Sequence, residues 1–400
     1  MLIPTGLSLL ATLVEVLLTL LTFAGMVYML LALWGARDFV RRWRGGMEAG
    51  TQADVTLLKP VKGVDPRMYA GFRSHCLQRY GGRFEILFGV SSMDDPAVAE
   101  VERLRAEFPG VDIRLVECRE RLGASGKVSN LAQMLREARY EHVVINDSDI
   151  LVSQRYLERV MRGFWCERVG MVTALYLGRT GVRPAGDGSG PTVWARLEAL
   201  GISTDFMAGV LTARRLEGGI RFGLGSTLAT TKTALAKVGG LEPLADYLAD
   251  DYELGHRLSK AGYLVELCAE TVETSVPAYG FKGFWQHQLR WARSTRDSRK
   301  LGYVGLGMTY CVPWALLTMV ASGFALWSFS LLSVVLLARV AVALTVGVGV
   351  LRDGQVLRDL WLLPVRDIFG LIFWAWSFAG DTVVWRGEVF RLRDGRISRV

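Results

Sequence analysis

None of the five cysteines, Cys76, Cys118, Cys166, Cys268 and Cys311, pairs with another at CxxC spacing. Zinc ribbons and disulfide frameworks are therefore not expected, and scattered free thiols suit a reducing compartment. Walker spacing is missing too, so the Gly-rich "LGASGKVSNLAQML" is not a P-loop. No small-residue cleavage site follows the first apolar run, which argues against a removed signal peptide. Internal repeats and low-complexity segments are also lacking; "RPAGDGSGP" (183–191) reads as a loop. Acidic residues are the minority, 39 against 47 Lys and Arg, for a net charge of +8. That excess does not point to nucleic acid, because no nucleic-acid motif occurs and the basic clusters track apolar segments.

Apolar sequence is plentiful: 51% of the 400 residues are hydrophobic and 22% charged. A soluble unit joined to membrane segments fits both figures. Residues 16–36 form a run of about 21 without a charge, long enough to cross a bilayer. Four arginines follow in "RDFVRRWR" (37–44), which by the positive-inside rule puts everything beyond residue 37 in the cytoplasm. Two further apolar runs, 308–329 and 331–351, suggest a membrane hairpin turning near "SFS" (328–330) and Ser333. Arg339 in the second run should face protein or snorkel. The last run, 361–385, has a charge-free core of only about 13 residues, so an interfacial or re-entrant segment is favoured over a fourth span. The basic tail then stays inside. The expected division is a membrane anchor (1–36), a cytoplasmic domain (37–300), two membrane helices (301–353) and an interfacial segment with basic tail (354–400). The protein is thus expected to be multi-pass, in a bacterial inner membrane.

Between the apolar ends, "DVTLLKPV", "FEILFGVSS", "VDIRLVEC" and "HVVINDSDILV" are short strand-like runs. Helical stretches over 67–80, 96–108 and 128–139 alternate with them. This is an α/β pattern with a mostly parallel sheet, whose ligands gather beyond the carboxyl ends of the strands. Polar residues stand there. Asp147 and Asp149 flank one serine, so on an extended segment they point the same way and could share a divalent cation with a diphosphate. The same triplet also suits an Asx turn. Ser91, Ser92, Asp94 and Asp95 follow another strand, where an N-cap before Pro96 is the plainer reading. Lys127 opens a helix and could meet phosphates. Asp250 and Asp251 open "DDYELGHRLSK", ended by Gly262, either as a helix cap or as a base. "FWQHQLRWARSTR" (284–296) places Arg290 and Arg293 one turn apart, on a membrane-surface helix or as a clamp on a diphosphate.

In this order, "VTLLKPVKGVDP" (55–66), "DDPA" (94–97), "DSDI" (147–150), "ADDYELG" (249–255), "HQLRW" (287–291) and "WRGEVFRLR" (385–393) resemble the signatures of family 2 and family 21 glycosyltransferases. Ceramide glucosyltransferases and bacterial hopanoid-associated enzymes belong to that group. The resemblance implies a GT-A (Rossmann-like) catalytic domain that uses a UDP-sugar and Mg2+ or Mn2+. It implies that Asp147 and Asp149 hold the metal, and that Asp251 is the general base. Lys59, Ser92, Asp94, Lys127, Asp147, His287, Arg290 and Trp291 are then donor-binding, the last three on a gating helix over residues 281–300. Two positions depart from the family pattern. Ser92 stands where ceramide glucosyltransferases carry Asp, and His287 opens a motif that usually starts with Gln or Arg; both bear on uracil and sugar recognition. The implied acceptor is a membrane lipid, ceramide foremost, with hopanoid or diacylglycerol as alternatives. A polysaccharide synthase would share the signatures but needs a polymer channel. An inactive nucleotide-sugar binder would not need its carboxylates intact.

Overall fold

The computed structural model describes residues 6–44, 51–65, 67–180, 190–385 and 387–399. The loop expected over 183–191 lies outside them, apart from its last two positions.

Strands β1 (Val55–Pro60), β2 (Phe84–Val90) and β4 (His142–Ile145) are buried almost residue for residue. Continuous Val, Ile and Leu runs have this fate when helices cover both faces of a sheet. Helices α2 (Met68–Cys76) and α3 (Ala97–Glu107) follow β1 and β2, and α4 (Gly126–Glu137) follows β3 (Asp112–Glu117). After β4 come α5 (Tyr156–Met161), β5 (Val169–Thr180), α6 (Val193–Gly201), a π-helical turn (Ile202–Phe206) and α7 (Met207–Leu216). The sheet is completed by β6 (Leu228–Thr231), α8 (Lys232–Lys237), α9 (Asp250–Lys260) and β7 (Leu264–Val276). Its order is β3-β2-β1-β4-β6-β5-β7, and every neighbouring pair is parallel except the two that β6 makes. Strand order reverses between β1 and β4, where a ligand crevice opens in such sheets.

The apolar ends fold as helices. Helix α1 (Gly6–Arg44) is continuous through the expected boundary at residue 36. Leu10, Leu13, Leu17, Leu20 and Leu30 are each more than half exposed along it, a surface that lipid satisfies and water does not. Among the described residues, two stretches, Leu9–Trp43 and Leu326–Val350, are long and apolar enough to cross a membrane. A third is possible if the pair bent by 54°, Lys300–Thr309 and Cys311–Ala321, counts as one span. That pair comprises α10's successor α11 (Lys300–Leu306), a short 3-10 turn, and α12 (Cys311–Ala321); α10 itself runs Phe281–Ser298.

The hairpin turn does not fall where the serines suggested. Helix α13 (Leu326–Ala343) absorbs "SFS", because Ser330 and Ser333 donate to the carbonyls of Leu326 and Phe329 one turn back. The chain reverses instead at Gly323 and Phe324, with φ of +62° and +61°. Beyond α14 (Gln355–Asp359), α15 (Leu363–Ser377) has 15 residues, short of a span. Arg339 faces protein: it is 5% exposed and pairs with Asp367 of α15.

The basic tail is also more ordered than expected. It forms an antiparallel sheet of β8 (Thr382–Trp385), β9 (Glu388–Arg393) and β10 (Arg396–Arg399). The tip of its second hairpin touches the segment before α9 and the end of α10. Leu248 N–H donates to Gly395 O at 3.0 Å, Ile397 N–H donates to Asp246 O at 2.7 Å, and Gly395 N–H donates to Asp297 at 3.0 Å.

Candidate active site

The crevice at the strand reversal is lined by charge. Asn146, just past β4, is fully buried, and its amide donates to Ser226 O (2.7 Å) and Tyr156 Oη (2.8 Å). This fixes the strand end from which Asp147 and Asp149 project, and ties it to the loop before β6. Asp149 is held by β7: Thr274 Oγ1 and Ser275 N–H donate to its Oδ2 at 2.8 and 2.7 Å. Burial, then the charge of Asp147, raises its pKa against those bonds.

Lys127, in the first turn of α4, stands between acids. Its Nζ is 2.8 Å from Asp147 Oδ1 and 3.3 Å from Asp250 Oδ2. Burial works against its charge, but Asp147 and Asp250 outweigh that and raise its pKa. Asp250 is therefore an ion-pair partner and not a side-chain cap; Ala249 holds the N-cap position of α9.

Asp251 has a different environment. Its Oδ1 accepts from Tyr252 N–H at 2.8 Å. Burial, then the neighbouring charge of Asp250, pushes its pKa up to about 6, with Lys127 opposing. A loop of small residues makes room for it. A Cβ on Gly225 would lie 2.9 Å from Asp251 Oδ2, and one on Gly255 would lie 2.4 Å from Gly223 N. Helix α9 thus rests on the bare backbone of the "FGLGS" loop, with the carboxylate against Gly225. Sequence reasoning missed this loop; its paired glycines before a strand were the available signal.

The expected donor residues differ sharply in exposure. Lys59 is 0% exposed, with its ammonium 3.2 Å from Asp147 O, beneath the acidic pair. Burial pushes its pKa down to about 7, with Asp149 and Asp147 opposing. Ser92 and Asp94 are exposed and bond to each other, Asp94 N–H to Ser92 Oγ at 3.2 Å. Asp95 is structural, accepting from Gly63 N–H (2.8 Å) and Ala97 N–H (2.9 Å).

On α10, His287 Nδ1 lies 2.9 Å from Glu198 Oε2, and its ring centroid is 4.8 Å from that of Trp291. Gln288 Nε2 donates to the same oxygen at 3.0 Å, and Tyr279 Oη donates to it as well. Glu198, on α6, is 2% exposed. Its burial favours the neutral acid, but His287, Tyr279 and Gln288 together win and lower its pKa. This buried carboxylate, which orients His287, carries no motif and was not anticipated. Arg290 interacts electrostatically with Tyr279. Arg293 and Arg296 are committed to the backbone beyond α15, donating to Ala379 O and Gly380 O at 3.0 Å each, so neither joins a diphosphate clamp.

No cluster of three or more candidate metal ligands occurs among the described residues. Asp147 and Asp149 still suit Mg2+ or Mn2+, which take one or two protein carboxylates and complete their shell with substrate phosphate and water.

The family model described as "Glycosyl transferase family 21" matches residues 17–398. The chain is similar to ceramide glucosyltransferase 3 of Caenorhabditis elegans, 26% identical over 240 residues, or 60% of this chain and 50% of that protein. It is similar to ceramide glucosyltransferase of Komagataella phaffii, 31% identical over 140 residues, or 33% of this chain and 27% of that protein. The chain thus spans half or less of the length of these curated relatives. Among solved structures, mannosyltransferase PcManGT of Pyrobaculum calidifontis, in complex with GDP-Man and Mn2+, aligns over 90% of this chain and 99% of that one, with 19% identity and a TM-score of 0.48. The mostly parallel α/β sheet of the expected GT-A domain is present, with apolar helices before and after it. With the match running through nearly all of it, the chain belongs to glycosyl transferase family 21.

Proposed function

We propose that this glycosyltransferase moves a hexose from a UDP-sugar to the hydroxyl of a membrane lipid, ceramide foremost, with inversion at the anomeric carbon. The observation that carries this reading is Asp251. It is a carboxylate raised to about 6, held against a glycine loop, beside but not in the Lys127–Asp147 ion pair. A base poised near neutral pH is what removing a proton from an alcohol requires.

In this mechanism the lipid oxygen attacks the anomeric carbon while the bond to the β-phosphate oxygen breaks. The hydroxyl proton goes to Asp251, and UDP leaves with the bond's electron pair. Asp147 and Asp149 would hold Mg2+ or Mn2+, which supplies charge neutralisation to the diphosphate. Lys127 already lies on Asp147, so its ammonium can share that phosphate. Arg290 on α10 adds a second cation. Glu198 orients His287 for the donor, and Trp291, one turn on, packs against that ring and towards Phe206. The catalytic domain and tail lie on the cytoplasmic face, where UDP-sugars are made available, and the membrane helices keep the lipid within reach.

The experiment is a screen of UDP-sugars against extracted lipids, read by mass spectrometry. A hexosylated ceramide is the expected product. A hexosylated hopanoid or diacylglycerol changes the acceptor only, whereas a polymer, or no turnover with any donor, overturns the proposal.

A further inference from the structure

Between the membrane helices and the catalytic carboxylates lies the π-helical turn Ile202–Phe206, an uncommon geometry that recurs at functional sites. Its last residues are held by charges from two apolar helices. Arg339 of α13 donates to Thr204 Oγ1 at 3.2 Å and also pairs with Asp205. Arg366 of α15 lies 3.1 Å from Asp205 Oδ2, and Asp367 accepts from Arg339 at 2.9 Å. A network of two arginines and two aspartates among apolar helices is a poor source of stability, because desolvation offsets the attraction. What it does supply is a fixed position for the residue that follows.

That residue is Phe206. It is 39% exposed, large and apolar, at a junction where its neighbours are aromatic. Its ring centroid lies 5.9 Å from Tyr176 of β5 and 6.4 Å from Trp291 of α10. Tyr176 lies on β5, whose Thr173 accepts from Leu224 N–H at 3.0 Å, in the loop that sets Gly225 against Asp251. Burial raises the pKa of Tyr176, and the charges of Asp251 and Asp147 add to it. Aromatic side chains therefore run from the ion network at Asp205 to β5, the strand bonded to the loop that carries Gly225 against Asp251.

A lipid alcohol must bring its hydroxyl to Asp251 while its chains remain in the bilayer. The segment between needs an apolar support that water does not reach. We propose that Phe206, flanked by Tyr176 and Trp291, is the acceptor subsite, seating the methylene chain next to the reacting hydroxyl. This rests on the reading that the acceptor is a lipid. The same geometry makes Phe206 a determinant of acceptor choice, with donor binding left to the far side of the crevice.

The test uses the full-length protein in detergent micelles with a short-chain fluorescent ceramide, or whichever lipid the screen identifies, varying acceptor and donor separately. Phe206→Ala should raise the acceptor KM about tenfold, the effect of losing one aromatic contact, while donor KM stays within a factor of about two. Phe206→Tyr should restore the acceptor KM; a merely structural role would not give that pattern. An unchanged acceptor KM, or a donor KM that rises equally, overturns the subsite and leaves the lipid reading standing. A wild-type protein that glycosylates a soluble acceptor and no lipid overturns both.

Discussion

Replacing Asp251 with asparagine separates its two possible roles. The amide keeps the size and, through its carbonyl oxygen, the hydrogen bond from Tyr252 N–H, but it cannot take a proton. Loss of a general base lowers the rate by about 10²–10⁴, or roughly 3–5 kcal/mol of transition-state stabilisation. UDP binding should persist, since the donor is held by other groups. Stability should move the other way. A pKa raised from 3.8 to about 6 means that the folded chain holds this proton more tightly than the unfolded one. The associated stability is full below about pH 4 and is lost as pH rises through about 6. At pH 7 the ionised Asp251 therefore strains the fold, by at most about 3 kcal/mol and nearer ~1 after discounting for its partial exposure to solvent. Asp251→Asn should accordingly melt higher than wild type at pH 7 while transferring almost no sugar. In the wild type, kcat/KM should fall about tenfold per pH unit below 6 and level off above it. Sugar transfer at near wild-type rate by Asp251→Asn, or a flat profile between pH 5 and 7, refutes the assignment.

Four further outcomes follow from the geometry. EDTA should abolish transfer and Mg2+ or Mn2+ restore it, with Asp149→Ala inactive under both conditions; full activity in EDTA removes the metal role. Gly225→Ala places a carbon 2.9 Å from Asp251 Oδ2, so it should lower kcat about tenfold or more while circular dichroism stays native. Glu198→Ala should lose about 2–3 kcal/mol of stability, read as a lower melting temperature, because Tyr279, His287 and Gln288 are left facing a buried void. For topology, a C-terminal tag should be cleaved by protease only when the cytoplasmic face is accessible; cleavage from outside alone means four spans.

What was legible in the sequence was what depends on local pattern. Strand β4 read as buried because Val143, Val144 and Ile145 run without a polar break, β1 because Val55, Leu57 and Leu58 are apolar around Thr56, and the triplet after β4 stood at a strand end. Helices α9 and α10 were marked by periodicity and by Gly262. The misreadings have one physical source: a side chain's partner lies far along the chain, and nothing near it says which partner will be taken. Arg293 and Arg296 have the chemistry of a phosphate clamp, but the carbonyls of Ala379 and Gly380 in the chain just past α15 are within their reach. Lys59 has the chemistry of a donor contact, but on a central strand covered on both faces its ammonium can only reach the adjacent strand end. Serines 330 and 333 look like turn residues in water, and inside an apolar helix they satisfy themselves on the preceding turn instead.

The same reasoning explains why the opening acids of α9 divide as they do. Two adjacent carboxylates on one helix turn repel, so both are kept ionised only if a cation serves them. Lys127 reaches Asp250 at 3.3 Å and Asp147 at 2.8 Å, and no ion pair with it extends to Asp251. Asp250 is paired with the lysine. Asp251, against Gly225 and beside that fixed negative charge, binds a proton more readily than an ordinary aspartate. On the proposed reading, the pair is one ion-pair partner and one base, made from identical residues by the placement of a single ammonium group. Lys127→Met removes that group. The acid limb of the pH–rate profile should then move above pH 6, as the charge of Lys127 no longer favours ionised Asp251. The measurement is kcat/KM across pH 5–9. A limb that stays at or below 6 in Lys127→Met means the lysine does not set the division of labour between the two acids.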